Sequence, residues 1–95
     1  MAEQHIDKIE PIQIEHSIDE VWEGDQLHES YNFLDYHFER EGNYCRARTY
    51  ADDFQSISLF GPFEGRHSIQ RIDSPNFEHD VTLYLERRFI QVSRR

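Results

Sequence analysis

The stretch FLDYHFEREGNYCRARTY, residues 33–50, contains two runs of alternating side chains separated by a glycine. In the first run Leu34, Tyr36 and Phe38 alternate with polar residues, and in the second run small residues alternate with tyrosines and arginines. A period of two is typical of a half-buried strand, and a glycine between two such runs indicates a hairpin. The stretch therefore predicts two antiparallel strands that meet near Gly42.

Two registers of this hairpin fit the pattern. A two-residue loop that begins at Gly42 places Glu39 opposite Arg46, whereas a loop that begins one residue earlier places Asp35 opposite Arg48. Both registers keep the apolar side chains on one face and bring acids to arginines on the other. The same upstream aromatics also keep helical spacing, but a helix would leave this match of charges unexplained.

The rest of the chain predicts two further strands and one helix. Alternation predicts a third strand at residues 55–60, a turn at Gly61-Pro62 and a weaker fourth strand at residues 67–72. A helix is predicted next, because Ser74 and Pro75 together form an N-terminal signal. The apolar residues that keep helical spacing there are Phe77, Val81, Tyr84 or Leu85, and Phe89.

Upstream, the pattern is weaker. Ile12 and Ile14 alternate as in a short strand, and residues 17–24 have the spacing of a helical turn that bears Trp22, although a continuing strand also fits. The predicted fold class is α+β, an antiparallel β-meander of three to four strands with a C-terminal helix packed on one face. We expect one domain over residues 1–95, with residues 1–10 frayed.

The formal charge of −9 is unevenly distributed. Residues 1–39 contain eleven carboxylates and one lysine, whereas residues 40–95 contain eight carboxylates and nine arginines. Nucleic-acid binding is not expected, because affinity for phosphate backbones comes mainly from cations. The single cysteine favours a reducing compartment, and no apolar run is long enough to span a bilayer. We therefore expect a soluble, cytoplasmic protein.

The motifs of common enzyme and cofactor sites are missing from the sequence. The four glycines do not form a phosphate-binding loop, and no two of the six histidines have the close spacing typical of zinc ligands. Cys45 lies on the predicted apolar face, where a structural role is favoured over nucleophilic catalysis. We predict no cofactor, no metal site and no enzymatic activity.

The leading functional hypothesis is a small intracellular protein-binding module of the inhibitor, immunity or adaptor type. Carboxylates around a large ring would engage a basic protein partner, with charge giving rate and orientation and the ring giving affinity. A second candidate contact is the apolar turn LFGPFEG. The predicted protein-binding residues are Glu20, Trp22, Glu23, Asp25, Glu29, Phe60 and Phe63.

Two alternatives remain open. Arginines and histidines between sheet and helix would form a small-ligand or metal-binding pocket, with guanidinium groups holding a carboxylate or phosphate. The residues predicted to line this pocket are Arg46, Arg48, His37 and His67. A homodimer, formed through a sheet edge or through the turn at residues 60–63, is compatible with either hypothesis.

Overall fold

The computed structural model describes residues 7–95, which form a five-stranded sheet and one helix. The elements are β1 (Gln13–Glu23), β2 (Gln26–Arg40), β3 (Asn43–Tyr50), β4 (Asp53–Phe63), α1 (Pro75–Glu86) and β5 (Gln91–Arg94). The strands lie in chain order; the first four pair antiparallel, and β5 pairs parallel to β4. The α+β class is confirmed, but the sheet has five strands rather than three to four.

The predicted hairpin is β2–β3. Its turn is Glu41-Gly42, and both residues have positive φ, 53° and 82°, as a two-residue turn matched to the twist of the strands requires. The register therefore places Asp35 opposite Arg48, which is the second of the two predicted alignments.

The core lies between the sheet and α1. We call this side of the sheet the helix face and the opposite side, which carries Arg46 and Arg48, the arginine face. The helix contributes a stripe spaced by four residues, Phe77, Val81 and Leu85, because that spacing keeps side chains on one side of a helix. The sheet contributes Phe38, Cys45, Ala47, Ile57 and Leu59.

Two local predictions are wrong, and one alternative that the sequence left open is decided. Residues 17–24 continue the strand and are not helical, since β1 runs to Glu23 and Trp22 lies on it. Gly61-Pro62 lies within β4 instead of forming a turn, and at φ 110° a Cβ on Gly61 would lie 2.9 Å from the carbonyl oxygen of Tyr44. Residues 67–72 form no strand, and their single bridge joins Arg71 to Phe63.

The helix begins at the predicted position but ends at Glu86, so Phe89 lies beyond it. Ser74 occupies the position before the helix, with Pro75 first, although the Ser74 hydroxyl accepts a bond from Asn43 rather than capping the helix. At the other end Arg88 donates to the carbonyl oxygen of Tyr84, at 3.0 Å. The chain then turns back into the sheet as β5.

The beginning of the described chain is attached to the end of the helix. Asp7 accepts hydrogen bonds from Arg87 and Arg88, each at 2.8 Å, and Ile9 is buried in the core. Fraying is therefore wrong for residues 7–10, while residues 1–6 lie outside the described part of the chain.

The Asp7 contacts predict a pH-dependent contribution to stability. The hydrogen bond from Arg88 is the main cause that lowers the pKa of the Asp7 carboxyl below its ordinary value of 3.8. A carboxyl with a lowered folded-state pKa stabilises the protein above the unfolded value and loses that effect as pH falls through the folded-state value. Asp7→Asn should therefore be destabilising at neutral pH, and this difference from wild type should vanish once pH has fallen through the folded-state pKa. Urea denaturation at stepped pH measures it, and a difference that stays constant would contradict the assignment.

Candidate functional site

The β1–β2 hairpin extends beyond the core. In β1 every residue except Ser17 is exposed, and residues 26–32 at the start of β2 are exposed as well. The helix packs against β3, β4 and β5 and touches β2 near its end, at Tyr36 and Phe38, so it leaves residues 13–34 of this hairpin uncovered. The elongated shape of the molecule, 56 × 37 × 20 Å, is consistent with this layout. We call residues 13–34 the hairpin arm.

The helix-face side of the arm presents a row of exposed apolar side chains. Alternation along β1 places Ile14, Ile18 and Trp22 on this face, and a register shift next to Trp22 sets Leu27 opposite it. All four are exposed, Trp22 at 56%. His16 and Glu20 lie between them on the same face, so apolar and polar side chains alternate along this side of the arm.

A shallow groove of about 350 Å³ lies at the base of the arm. On one side the ring Nε2 of His16 is 2.5 Å from Oδ1 of Asn32. On the other side Phe54 is 67% exposed. The walls of the groove are mostly apolar. The residues that line it are His16, Asn32, Phe33, Leu34, Thr49, Tyr50, Ala51 and Phe54.

Acidic side chains without matching cations lie on the same arm. Residues 13–34 contain no lysine or arginine. The carboxylates there are Glu15, Asp19, Glu20, Glu23, Asp25 and Glu29. Among the described residues the only ring nitrogen within 4 Å of the Glu23 carboxylate is that of the exposed His28, at 3.9 Å, and no lysine or arginine forms an ion pair at the tip.

Five of the predicted binding residues thus share the tip of the arm. Glu20 and Trp22 are on β1, Asp25 lies in the turn, and Glu29 lies opposite Val21. Glu29 also accepts a bond from the Tyr31 hydroxyl, which raises the pKa of that phenol. The fifth residue, Glu23, is the last residue of β1, next to the turn.

The two predicted phenylalanines are elsewhere. Phe60 and Phe63 are half-buried on the arginine face of β4. The guanidinium of Arg46 lies 4.9 Å from the ring centre of Phe60, and that of Arg71 lies 5.4 Å from that of Phe63. These cation–π contacts occupy both rings, so they do not form the exposed apolar turn that the sequence suggested.

The residues of the predicted small-ligand pocket do not lie between the sheet and the helix. His37, Arg46 and Arg48 do come together, since His37 lies opposite Arg46 and Arg48 is the next residue but one. They lie on the arginine face, however, away from the helix, because their neighbours Cys45 and Ala47 point into the core. The predicted pocket between sheet and helix is therefore wrong. His67 is exposed in the segment after β4.

The arginine face contains a buried polar network. His37 contacts the Tyr44 hydroxyl through Nδ1 at 2.6 Å and Glu15 through Nε2 at 3.1 Å. Arg48 donates to both oxygens of Asp35, at 2.7 and 2.9 Å. Burial raises the pKa of the Tyr44 phenol. The network satisfies side chains that would otherwise be buried without partners.

Part of this network has the composition of a metal site. The ligating atoms of Glu15, Asp35 and His37 lie within 4.8 Å of one another. Both Asp35 oxygens are already bound to Arg48, and both His37 nitrogens have partners. A cation would have to displace a bidentate ion pair and sit beside a guanidinium, so the cluster fits a structural role better than metal binding.

Cys45 is buried in the core, and its burial raises the thiol pKa from 9.0 to about 12. A thiol with so high a pKa is almost entirely protonated near neutral pH and is a poor nucleophile. We expect modification by a thiol reagent at about pH 8 to be about a thousandfold slower in the native protein than in urea. Rapid native labelling, followed by absorbance, would contradict the burial of this side chain.

Comparison with protein-family models, curated proteins and solved structures found no match to this chain. Among residues 7–95 no helix has the length and apolar character needed to cross a membrane.

Proposed function

We propose that this protein is a non-enzymatic protein-binding module of the inhibitor, immunity or adaptor type, and that the tip of the hairpin arm engages a basic protein partner. The observation that carries the proposal is an exposed Trp22 on an arm that contains six carboxylates and no lysine or arginine. The proposal excludes nucleic acid, which the same negative charge would repel. It includes a cytoplasmic location, which the single cysteine favours.

The arm suits this role physically. Unpaired carboxylates raise the rate of encounter with a cationic surface and orient it. A large exposed ring then supplies burial at the contact, which is where most of the binding energy of an interface resides. Because the arm lies outside the core, a partner can contact both of its faces without unfolding the domain.

The experiment is affinity capture from the native cell lysate at low and high salt, with four forms of the protein. Wild type should enrich a basic protein, and high salt should weaken the capture. Reversing charge at the tip, with Glu20→Lys, Glu23→Lys and Asp25→Lys together, should reduce capture at least about tenfold, as should Trp22→Ala.

The matched control reverses charge outside the arm. Asp52→Lys, Asp53→Lys and Glu64→Lys together change three exposed acids outside the arm, the same number as at the tip, and should leave capture unchanged. Equal losses in the tip and control variants would show that net charge alone is responsible, and would contradict a specific role for the arm.

A second candidate, small-anion binding on the arginine face, has one supporting observation. The Nε atom of Arg46 is a buried side-chain nitrogen without a hydrogen-bond partner among the described residues. The candidate is weaker because Arg48 is already paired with Asp35. It predicts a rise in melting temperature with inorganic phosphate that Arg46→Met abolishes.

A further inference from the structure

The outer edge of β1 is open. β1 is the first strand of the sheet, pairs with β2 on one side, and has no strand of the described chain on the other. Natural sheets protect such edges with proline, charged side chains or very short strands. β5, at the other edge, has four residues and is followed by Arg95. β1 has 11 residues and no proline, and its only charged residues are four carboxylates, so pairing at this edge requires a register that keeps the carboxylates apart.

The hydrogen-bonding groups on that edge can be identified. The Asn32 carbonyl accepts from Ala51 of the β3 side, so the backbone groups of Asn32 point away from β1. Direction alternates along a strand, and accordingly the His37 carbonyl accepts from Ile12. Ile18, which lies opposite Asn32, therefore directs its N–H and C=O to the free edge. The other β1 residues that do so are Ile14, His16, Glu20 and Trp22.

We propose that a second copy of this chain pairs with this edge, β1 antiparallel to β1, with the two-fold axis at Ile18. The proposal goes beyond the proposed function: it depends on the backbone edge along the whole of β1, and Glu20 and Trp22 of the tip take part through their positions on that strand. A two-fold antiparallel pair joins identical surfaces, so each contact occurs twice. The pairing would extend each sheet into one continuous sheet across the two copies.

The charges of β1 select this register. With the axis at Ile18, His16 lies opposite Glu20 of the second copy, and Ile14 lies opposite its Trp22. No carboxylate faces another, and the full strand is paired. A histidine opposite a carboxylate can form a cross-strand hydrogen bond, and an aromatic ring opposite an aliphatic side chain stabilises a sheet.

Neighbouring registers oppose like charges. Moving the axis to Ser17 sets Glu15 opposite Asp19, and moving it to Asp19 sets Asp19 opposite itself and Glu15 opposite Glu23. Directly opposed like charges destabilise a sheet. The strand is thus self-complementary in the one alignment that uses all of it.

The test is sedimentation of the purified full chain over a range of concentrations. Wild type should change from 11.5 kDa to twice that mass. His16→Glu places two carboxylates opposite each other at two symmetric positions and should weaken association about tenfold, whereas the double variant His16→Glu with Glu20→His again sets a histidine opposite a carboxylate and should restore association. A wild type that stays monomeric at about 1 mM, or a double variant no better than the single one, would overturn the proposal.

A backbone variant tests the edge directly. Ile18→Pro removes an outward N–H that β2 does not use, so the protein should fold and remain monomeric. Its melting curve checks folding, and an unchanged dimer would overturn the proposal. The salt dependence distinguishes this proposal from the capture of a basic partner. Screening by salt should strengthen the association of two chains that each carry a charge of −9, whereas it should weaken the capture of a basic protein.

Discussion

Replacing Phe38 with alanine should lower the free energy of unfolding by about 3–5 kcal/mol. Phe38 has no exposed surface and lies in the middle of the core, with its ring centre 5.3 Å from that of Tyr84. Truncation removes buried apolar area and leaves a cavity between β2 and α1 that the rigid sheet cannot close. A loss of this size is a large share of the roughly 5–15 kcal/mol that stabilises a typical domain.

Phe54→Ala is the matched control for this prediction. The same residue type is 67% exposed there, at the rim of the groove, and its truncation should change stability by less than about 0.5 kcal/mol. Urea denaturation of the three proteins measures both effects. Similar losses for the two variants would contradict the assignment of Phe38 to the core.

Breaking the Asp35–Arg48 pair should have the second-largest effect, and the two partners should differ. The side chain of Asp35 is 7% exposed and that of Arg48 is 27% exposed. Arg48→Met leaves a carboxylate without a partner in a dry position and should cost about 3 kcal/mol. Asp35→Leu leaves a guanidinium that can reach water, so it should cost about 1–2 kcal/mol.

The double variant Asp35→Leu with Arg48→Met completes a cycle. Because two apolar groups of similar size replace both charges, it should be more stable than Arg48→Met alone. The introduced methionine keeps a flexible stem over the Phe33 ring, which the Arg48 guanidinium contacts at 4.0 Å in the wild type. Additive losses, measured by urea denaturation, would show that the two side chains do not act as a pair.

The central hairpin could be predicted because several signals agree there. Alternation, the glycine at the turn and the match of Asp35 with Arg48 all favour the same pair of strands. Charge matching was only partly right. Arg46 lies opposite His37 and over the Phe60 ring, rather than beside Glu39.

The upstream strand could not be distinguished from a helix by spacing alone. Ile14, Ile18 and Trp22 are separated by four residues, an interval that keeps side chains on one face in both a helix and a strand. Ser17 and Glu20 have the spacing of a helix N-terminal capping pair, but here both lie within a strand. What decides for a strand is pairing with β2, which lies outside any local window.

The last strand had no local signal. Residues 91–94 are too short for a clear alternation and follow two arginines that suit a helix end. They become a strand because they meet β4, with Ile57 opposite Val92. The tip residues of the arm were anticipated from charge and the tryptophan, whereas the free edge of β1 follows from the order of strands and could not be read from composition.

The parallel pairing of β5 has a consequence for synthesis of the chain on the ribosome. Strands β1 to β4 can pair one after another as they emerge, since each partner is the preceding segment. The second edge of β4 stays unpaired until the helix and then Gln91–Arg94 have been synthesised. During that interval the nascent chain exposes an unpaired strand rich in apolar residues, and this is the moment at which aggregation or chaperone capture should be most frequent.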